Sequence, residues 1–389
     1  MSPTVVILIV GSMIAASCAL VGSFLVLRRM ALMGDAISHA VLPGIALAFL
    51  WTGDRAPLPM ILGAGAFGVL TVFLVELFNR SGRLKEDASI GVVFPALFSV
   101  GVILISRYAS QVDIDLDCVL YGEIAYAPWD LLYFGERSIG PKALWVGGGI
   151  LLANLALIGA FFKELKLSTF DPELAASLGF SSVALHYLLM TAVSWTVVGS
   201  FESVGAILVV AMLVVPPATA YLMTDRLGVM LALAVLLGVI SAIGGYWLAR
   251  WWDASIAGAM AAVAGGLFSL ALFASPRHGL LARLAGRRSA SRRLADQLLM
   301  LHLREGGALV PLETLETRFG WSAARLRRTA AALEARGWIE RGIGGLALTP
   351  KGATALEESG RHLLAHPLEA SANATGAPQA STKKLAAPL

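Results

Sequence analysis

The sequence predicts an all-α polytopic membrane domain of about nine transmembrane helices, followed by a small C-terminal α+β domain. Three observations predict it. Of 389 residues, 57% are hydrophobic and only 14% are charged, with a mean hydropathy of +0.75; a soluble protein of this size has no use for so much apolar surface. The apolar residues fall into separate runs, each near the roughly 20 residues that a spanning helix needs. From Arg277 onward the pattern stops, Arg, Glu and His become frequent, and no segment is long and apolar enough to cross a bilayer.

In chain order the runs lie at roughly 4–27, 30–51, 58–78, 89–106, 143–162, 183–200, 204–223, 228–250 and 255–274. The first begins almost at Thr4, without a basic leader or a small-residue cleavage site, and is expected to be a retained helix. Forty glycines, among them Gly63, Gly65 and Gly68 and then Gly238, Gly244 and Gly245, suit the close approach of helices in lipid. Lys and Arg favour one side: Arg28/Arg29, Arg80/Arg83/Lys85, Lys163/Lys166, Arg226 and the cluster from Arg277. The opposite loops are more acidic, so the N-terminus is expected outside and the C-terminal domain in the cytoplasm. Cys18 and Cys118 fit neither a metal knuckle nor a disulfide framework. The net charge of +4 owes much to Arg277–Arg293, which suits a cytoplasmic membrane anchor and also a nucleic-acid contact.

The stretch RRMALMGDAISHAVLPG, from Arg28 to Gly44, is the most informative. Asp35 and His39 stand four residues apart on one helical face. A carboxylate and an imidazole in a membrane helix need a partner, water or an ion, and both are ordinary ligands of divalent transition metals. The loop Arg107–Lys142 is acidic and aromatic, and suits either a docking surface or an interfacial anchor. The loop KELKLSTFDPELAASLGFSS predicts one short capped helix: Ser168, Thr169 or Asp171 as N-cap, Pro172 at the first position, Glu173 in the first turn and Gly179 at the close. By counting, Glu202 lies nearer the outer end of two helices than the midplane, unless a re-entrant break carries it deeper. Pro216-Pro217 is expected to break or kink its helix. Asp35, His39 and Glu202 offer two oxygen donors and one imidazole, which suits manganese, iron or zinc. No GxxxxGK[ST] pattern occurs, so if transport is ATP-driven the ATPase is another polypeptide.

Three runs, in this order, carry a resemblance: RRMALMGDAISHAVLPG from Arg28, TFDPELAASLG from Thr169, and VGSFESVGAILVVAMLVVPPATAYLMTDRL from Val198. Over about Val5 to Ala274 the chain resembles the membrane permease subunit of bacterial zinc/manganese/iron ABC transporters, the metal-ion ABC-3 family. The resemblance implies a non-enzymatic, multi-pass subunit of the bacterial plasma (inner) membrane that imports Mn, Zn or Fe and binds no permanent cofactor. It implies pairing with a second permease copy or a related permease, and delivery of metal by an extracytoplasmic metal-binding protein. It makes DPELAASLG the coupling helix seated on a cytoplasmic ABC ATPase, through Asp171, Pro172, Glu173, Leu174, Ala175 and Gly179. It assigns Asp35, His39 and Glu202 to the ion path.

Beyond the membrane domain (residues 1–276) and a basic linker (277–290), residues 291–366 predict a cytoplasmic domain. Arg292–Arg304 reads as a helix; Leu312–Phe319, a GWS turn and Ala323–Arg336 read as helix-turn-helix. Trp338–Thr349 reads as a two-stranded wing, and Pro350–His366 as a last helix. This order resembles a winged helix, similar to the N-terminal part of metalloregulators of the diphtheria-toxin-repressor type. His362 matches a histidine that serves a metal site there, and His366 stands where that family usually has Glu; both are also ordinary surface residues. Arg325, Arg327 and Arg328 suit phosphate contacts to nucleic acid or a plain solvated face. Residues 367–389 are Ala/Pro/Ser-rich and expected to be disordered. Two rival functions remain: a membrane-tethered metal-responsive transcriptional regulator, and an ion-coupled carrier that needs no ATPase.

Overall fold

The structure, a computed structural model, describes residues 2–53, 57–82, 84–108, 124–134, 137–275, 294–305, 309–311, 314–315, 320–342 and 345–365. The chain divides into two compact units, Met1–Leu272 and Phe273–Leu389. The first is helical: α1 Pro3–Leu27, α2 Met33–Ala40, α3 Leu42–Thr52, α4 Pro57–Arg80, α5 Glu86–Tyr108, α6 Lys142–Ala160, α7 Phe162–Phe170, α8 Pro172–Ser177, α9 Ser182–Met223, α10 Leu227–Trp252 and α11 Ile256–Ala274. Among the described residues, nine helical segments are long and apolar enough to cross a membrane. α2 and α3 together make one of them, and α9 makes two.

The spine of the unit is α1, continuously buried from Ile14 to Leu25 and packed on α9, α10 and α6. Small residues let the backbones meet. A Cβ at Gly22 would overlap the Leu213 carbonyl, and one at Gly63 would overlap the Gly44 carbonyl. Polar groups in the interior find partners across helices: Asn154 Nδ2 donates to Thr196 Oγ1 at 2.8 Å, and Ser194 Oγ to the Gly65 carbonyl at 3.2 Å.

Pro216 and Pro217 do not break α9; the break stands at Gly205, whose φ of 77° and ψ of 163° lie outside the helical region and suit glycine alone. Pro217 has no N–H, so the Leu213 carbonyl loses its helical donor. That carbonyl meets the bare face of Gly22, which removes it from lipid. A second difference lies at residues 28–32. The expected span from residue 30 starts late, because Arg29 turns left-handed at φ 64° and the helix resumes only at Met33. A third lies between Leu131 and Pro141, within the loop read as a docking or anchoring piece. Strands β1 (Leu131–Phe134) and β2 (Arg137–Pro141) pair there as an antiparallel hairpin. Residues 109–123 of that loop, with Cys118, lie outside the described residues.

The second unit has its own apolar core, which includes Leu299, Leu303, Leu315, Leu326, Leu333, Ile339 and Leu346. Residues 294–305 form a helix, α12; α13 (Ala323–Ala335), strands β3 (Ile339–Gly342) and β4 (Gly345–Leu348), and α14 (Pro350–Ala365) follow. β3 and β4 pair antiparallel, and Val310 bridges to Leu346. Gly337, at φ 69°, ends α13, and the Trp338 N–H returns to the Leu333 carbonyl. The basic linker, His366, the tail and most of Leu312–Phe319 lie outside the described residues.

Candidate functional site

Packing fixes the depth of α2. Arg28, Glu76, Ser168, Ser182 and His186 line one cleft, so the ends of α1, α4 and α7 and the start of α9 meet at one end of the bundle. Gly68 lies against Ser194 and Ile37. Gly68 precedes Arg80 by twelve residues and Ser194 follows Ser182 by twelve, so both lie about 18 Å from that end at 1.5 Å per residue. The middle of α2 is therefore close to the midplane of a core about 30 Å thick.

Asp35 and His39 are together there. His39 Nε2 lies 3.6 Å from Asp35 Oδ1, one turn away. The imidazole stands beside two rings of α5, Phe94 at 5.9 Å and Phe98 at 6.1 Å between centroids. The side chains of His39 and Asp35 are 34% and 45% exposed in the single chain. An acid and an imidazole open at mid-depth require water, an ion or another subunit over them. Two donors are fewer than a zinc or manganese ion takes in a closed site. Among the described residues no group of three or more His, Cys, Asp or Glu is placed to hold a metal ion.

Glu202 is not brought to this pair on any described contact. Its backbone belongs to α9, three residues before the break at Gly205, and its side chain lies outside the described residues. Nearby Gly199 packs on Val146 and Ile150, early in α6, which places this backbone toward the opposite end from the cleft. Twenty residues from Ser182 amount to about 30 Å of helix. Arg325, Arg327 and Arg328 are exposed on α13, with the Arg325 guanidinium 4.9 Å from the Trp321 ring. The His362 side chain and all of His366 lie outside the described residues.

At the cleft end the loop after α6 holds two helices rather than one. The chain bends at Phe161, continues as α7, and turns again at Asp171. Asp171 is the N-cap of α8: its carboxylate accepts from the Leu174 N–H at 3.0 Å, and Pro172 occupies the first helical position. Gly179 takes φ 86°, and the Phe180 N–H closes the turn on the Ala175 carbonyl at 3.0 Å. Ser182 Oγ donates to the Pro172 carbonyl at 3.2 Å. Ala175 is fully buried beneath, while Glu173 faces outward. Phe170, Leu174, Leu178 and Phe180 form an apolar knob, with Leu178 60% exposed and Phe170 59% exposed, although all four lie outside the spans. Of these only Leu174 is singled out from sequence; the four-residue spacing of Phe170, Leu174 and Leu178 is the available signal, and Phe180 stands outside it.

The model of the family described as "ABC 3 transport family" matches residues 3–275. The manganese transport system membrane protein MntD of Bacillus subtilis (strain 168) is 48% identical over 277 residues, which are 71% of this chain and 94% of that protein. The zinc transport system membrane protein TroD of Treponema pallidum (strain Nichols) is 43% identical over 357 residues, 90% of this chain and 97% of that protein. An alignment of 357 residues exceeds the 272 of the first unit, so it runs well into the second. Among solved structures, PsaBC from Streptococcus pneumoniae in complex with Fab aligns with a TM-score of 0.60 and 31% identity, over 72% of this chain and 94% of that chain.

Proposed function

The chain belongs to the ABC 3 transport family, and from that premise we propose that it is the membrane permease subunit of an ATP-driven importer of a divalent transition metal. The transported ion is manganese, zinc or iron, the class to which its manganese and zinc relatives point. ATP hydrolysis belongs to a separate ATPase subunit, and a metal-binding protein delivers the ion from outside. The observation that carries this reading is the Asp35–His39 pair, open at mid-depth in an otherwise apolar bundle. Two donors with room beside them give an ion a place to pause and a way to leave, as transport requires. A second permease copy, or a related permease, covers that opening. Glu202, at the far end of its span, serves an earlier station on the path.

The positive-inside rule makes the cleft end cytoplasmic. There α8, with Asp171, Pro172, Glu173, Leu174, Ala175 and Gly179, engages the ATPase. The apolar knob supports this, since four large side chains exposed beyond the membrane need a partner surface. We read the second unit as a cytoplasmic winged-helix domain that regulates transport. Its helix, hairpin and helix order supports that reading. His362 and His366 are its candidate metal-sensing pair, and Arg325, Arg327 and Arg328 its contact face for a protein or nucleic acid.

The test is cellular metal content in an uptake-deficient bacterium that carries this chain, its ATPase and its binding protein. Wild type raises one metal among manganese, iron, zinc and cobalt, and His39→Ala does not. No change in any metal with all partners assembled would overturn the permease reading in favour of the tethered regulator.

A further inference from the structure

Arg28 follows the last residue of α1 and lies just outside the spans. It is half-buried, and burial pushes its guanidinium pKa below the ordinary arginine value. Three of its nitrogens bridge separate elements. Nε donates to Thr169 Oγ1 at 3.2 Å and Nη2 to Ser168 Oγ at 3.0 Å, both on the last turn of α7. Nη1 lies 3.3 Å from His186 Nδ1, in the second turn of α9. Because arginine only donates, His186 Nδ1 accepts and the imidazole proton sits on Nε2. These three partners are neutral, so the guanidinium acts here as a three-point bracket rather than as half of an ion pair.

Its position gives the bracket a mechanical role. Ser168 and Thr169 stand three and two residues before Asp171, the cap of α8. On the other side Arg28 ends the buried spine. The chain then turns through Arg29 at φ 64° into α2, which carries Asp35 seven residues later. The guanidinium is planar with its donors in a fixed fork, so it transmits displacement where a flexible ammonium gives way. An open cleft of about 470 Å³ borders it, which leaves the side chain room to follow α7.

We propose that Arg28 is a positioning residue of the transport cycle, the strut through which movement of α7 and α8 reaches α1 and the ion pair on α2. The proposal rests on the reading of α8 as the ATPase contact. It differs from a merely structural role in what it changes: metal moved per ATP, rather than assembly or hydrolysis.

The experiment uses the full chain with its ATPase and its binding protein in proteoliposomes, with manganese, iron, zinc and cobalt each offered alone as the probe. Metal uptake and phosphate release are measured in the same vesicles, and co-purified ATPase beforehand. Arg28→Ala is expected to retain the ATPase and its hydrolysis, and to import roughly tenfold fewer ions per ATP, within the range of ordinary allosteric couplings. Arg28→Lys, which keeps the charge and loses the fork, is expected to recover part of the ratio. Should Arg28→Ala fail to assemble, Ser168→Ala with Thr169→Val decides, since it cuts the link to α7 and leaves Arg28 on His186. A wild-type ratio of metal to ATP in the assembled variant would overturn the strut. Wild-type vesicles that hydrolyse ATP and import none of the four metals would overturn the permease reading, and the strut with it.

Discussion

Replacing Asp171 by alanine tests the coupling assignment at its base. The helix α8 spans only Pro172–Ser177, far below the length at which a helix persists by propensity. What holds it is the Asp171 cap on the Leu174 N–H at 3.0 Å, the closure at Gly179 and Phe180, and burial of Ala175. Loss of an N-cap costs about 1 kcal/mol, a factor of about 5 in the ratio of formed to open helix. Asn caps about as well as Asp, so Asp171→Asn keeps the geometry and removes only the charge. Hydrogen exchange of the peptide covering residues 170–180, in the assembled complex, reads the helix directly. Exchange should quicken about fivefold in Asp171→Ala and stay near wild type in Asp171→Asn, with metal uptake falling in the same order. Unchanged exchange in Asp171→Ala refutes the reasoning about the cap. Equal damage from both variants shows that the charge, and not the helix, is what matters.

Three other outcomes are expected. Leu178→Asp puts a carboxylate on the apolar knob and should weaken ATPase binding at least tenfold in a pull-down, because a buried leucine is worth about 1.5–3 kcal/mol; undiminished recovery would remove the knob from the interface. Gly22→Ala drives a methyl into the Leu213 carbonyl and should cost about 1–3 kcal/mol, visible as a lower Tm in detergent, whereas Gly91→Ala, which meets nothing within 4 Å, should leave the Tm alone. Deleting residues 290–389 should preserve basal uptake and alter its response to external metal. Loss of all uptake by a stable, correctly inserted truncation would make the second unit part of the transport machinery.

The spans were legible because lipid imposes length and apolarity on each segment separately, and nine are found among the described residues. The Asp35–His39 pair was legible for a second reason: helix periodicity alone puts residues four apart on one face. What spacing does not carry is depth and bending. α2 sits at mid-depth because Arg29 turns the chain and because Ile37 lies against Gly68, a contact made across the bundle. The break in α9 went to Gly205 and not to the prolines because tertiary packing at Gly22 shelters the Leu213 carbonyl that Pro217 frees. The capped turn at Asp171 followed local rules and was readable. The preceding helix α7 and the exposure of Phe170, Leu178 and Phe180 depend on which face packs on the bundle, and loop composition is silent on that.

The measurement that bears most directly on the central claim is uptake of manganese, zinc and iron, each offered alone, into proteoliposomes that contain this chain with its ATPase and its binding protein. Wild type and His39→Ala are compared with ATP, and wild type also with a non-hydrolysable analogue and without the ATPase. The account predicts uptake only for wild type, only with hydrolysable ATP and only with the ATPase present. Uptake by the chain alone, driven by an ion gradient, would contradict it and make the protein an ion-coupled carrier.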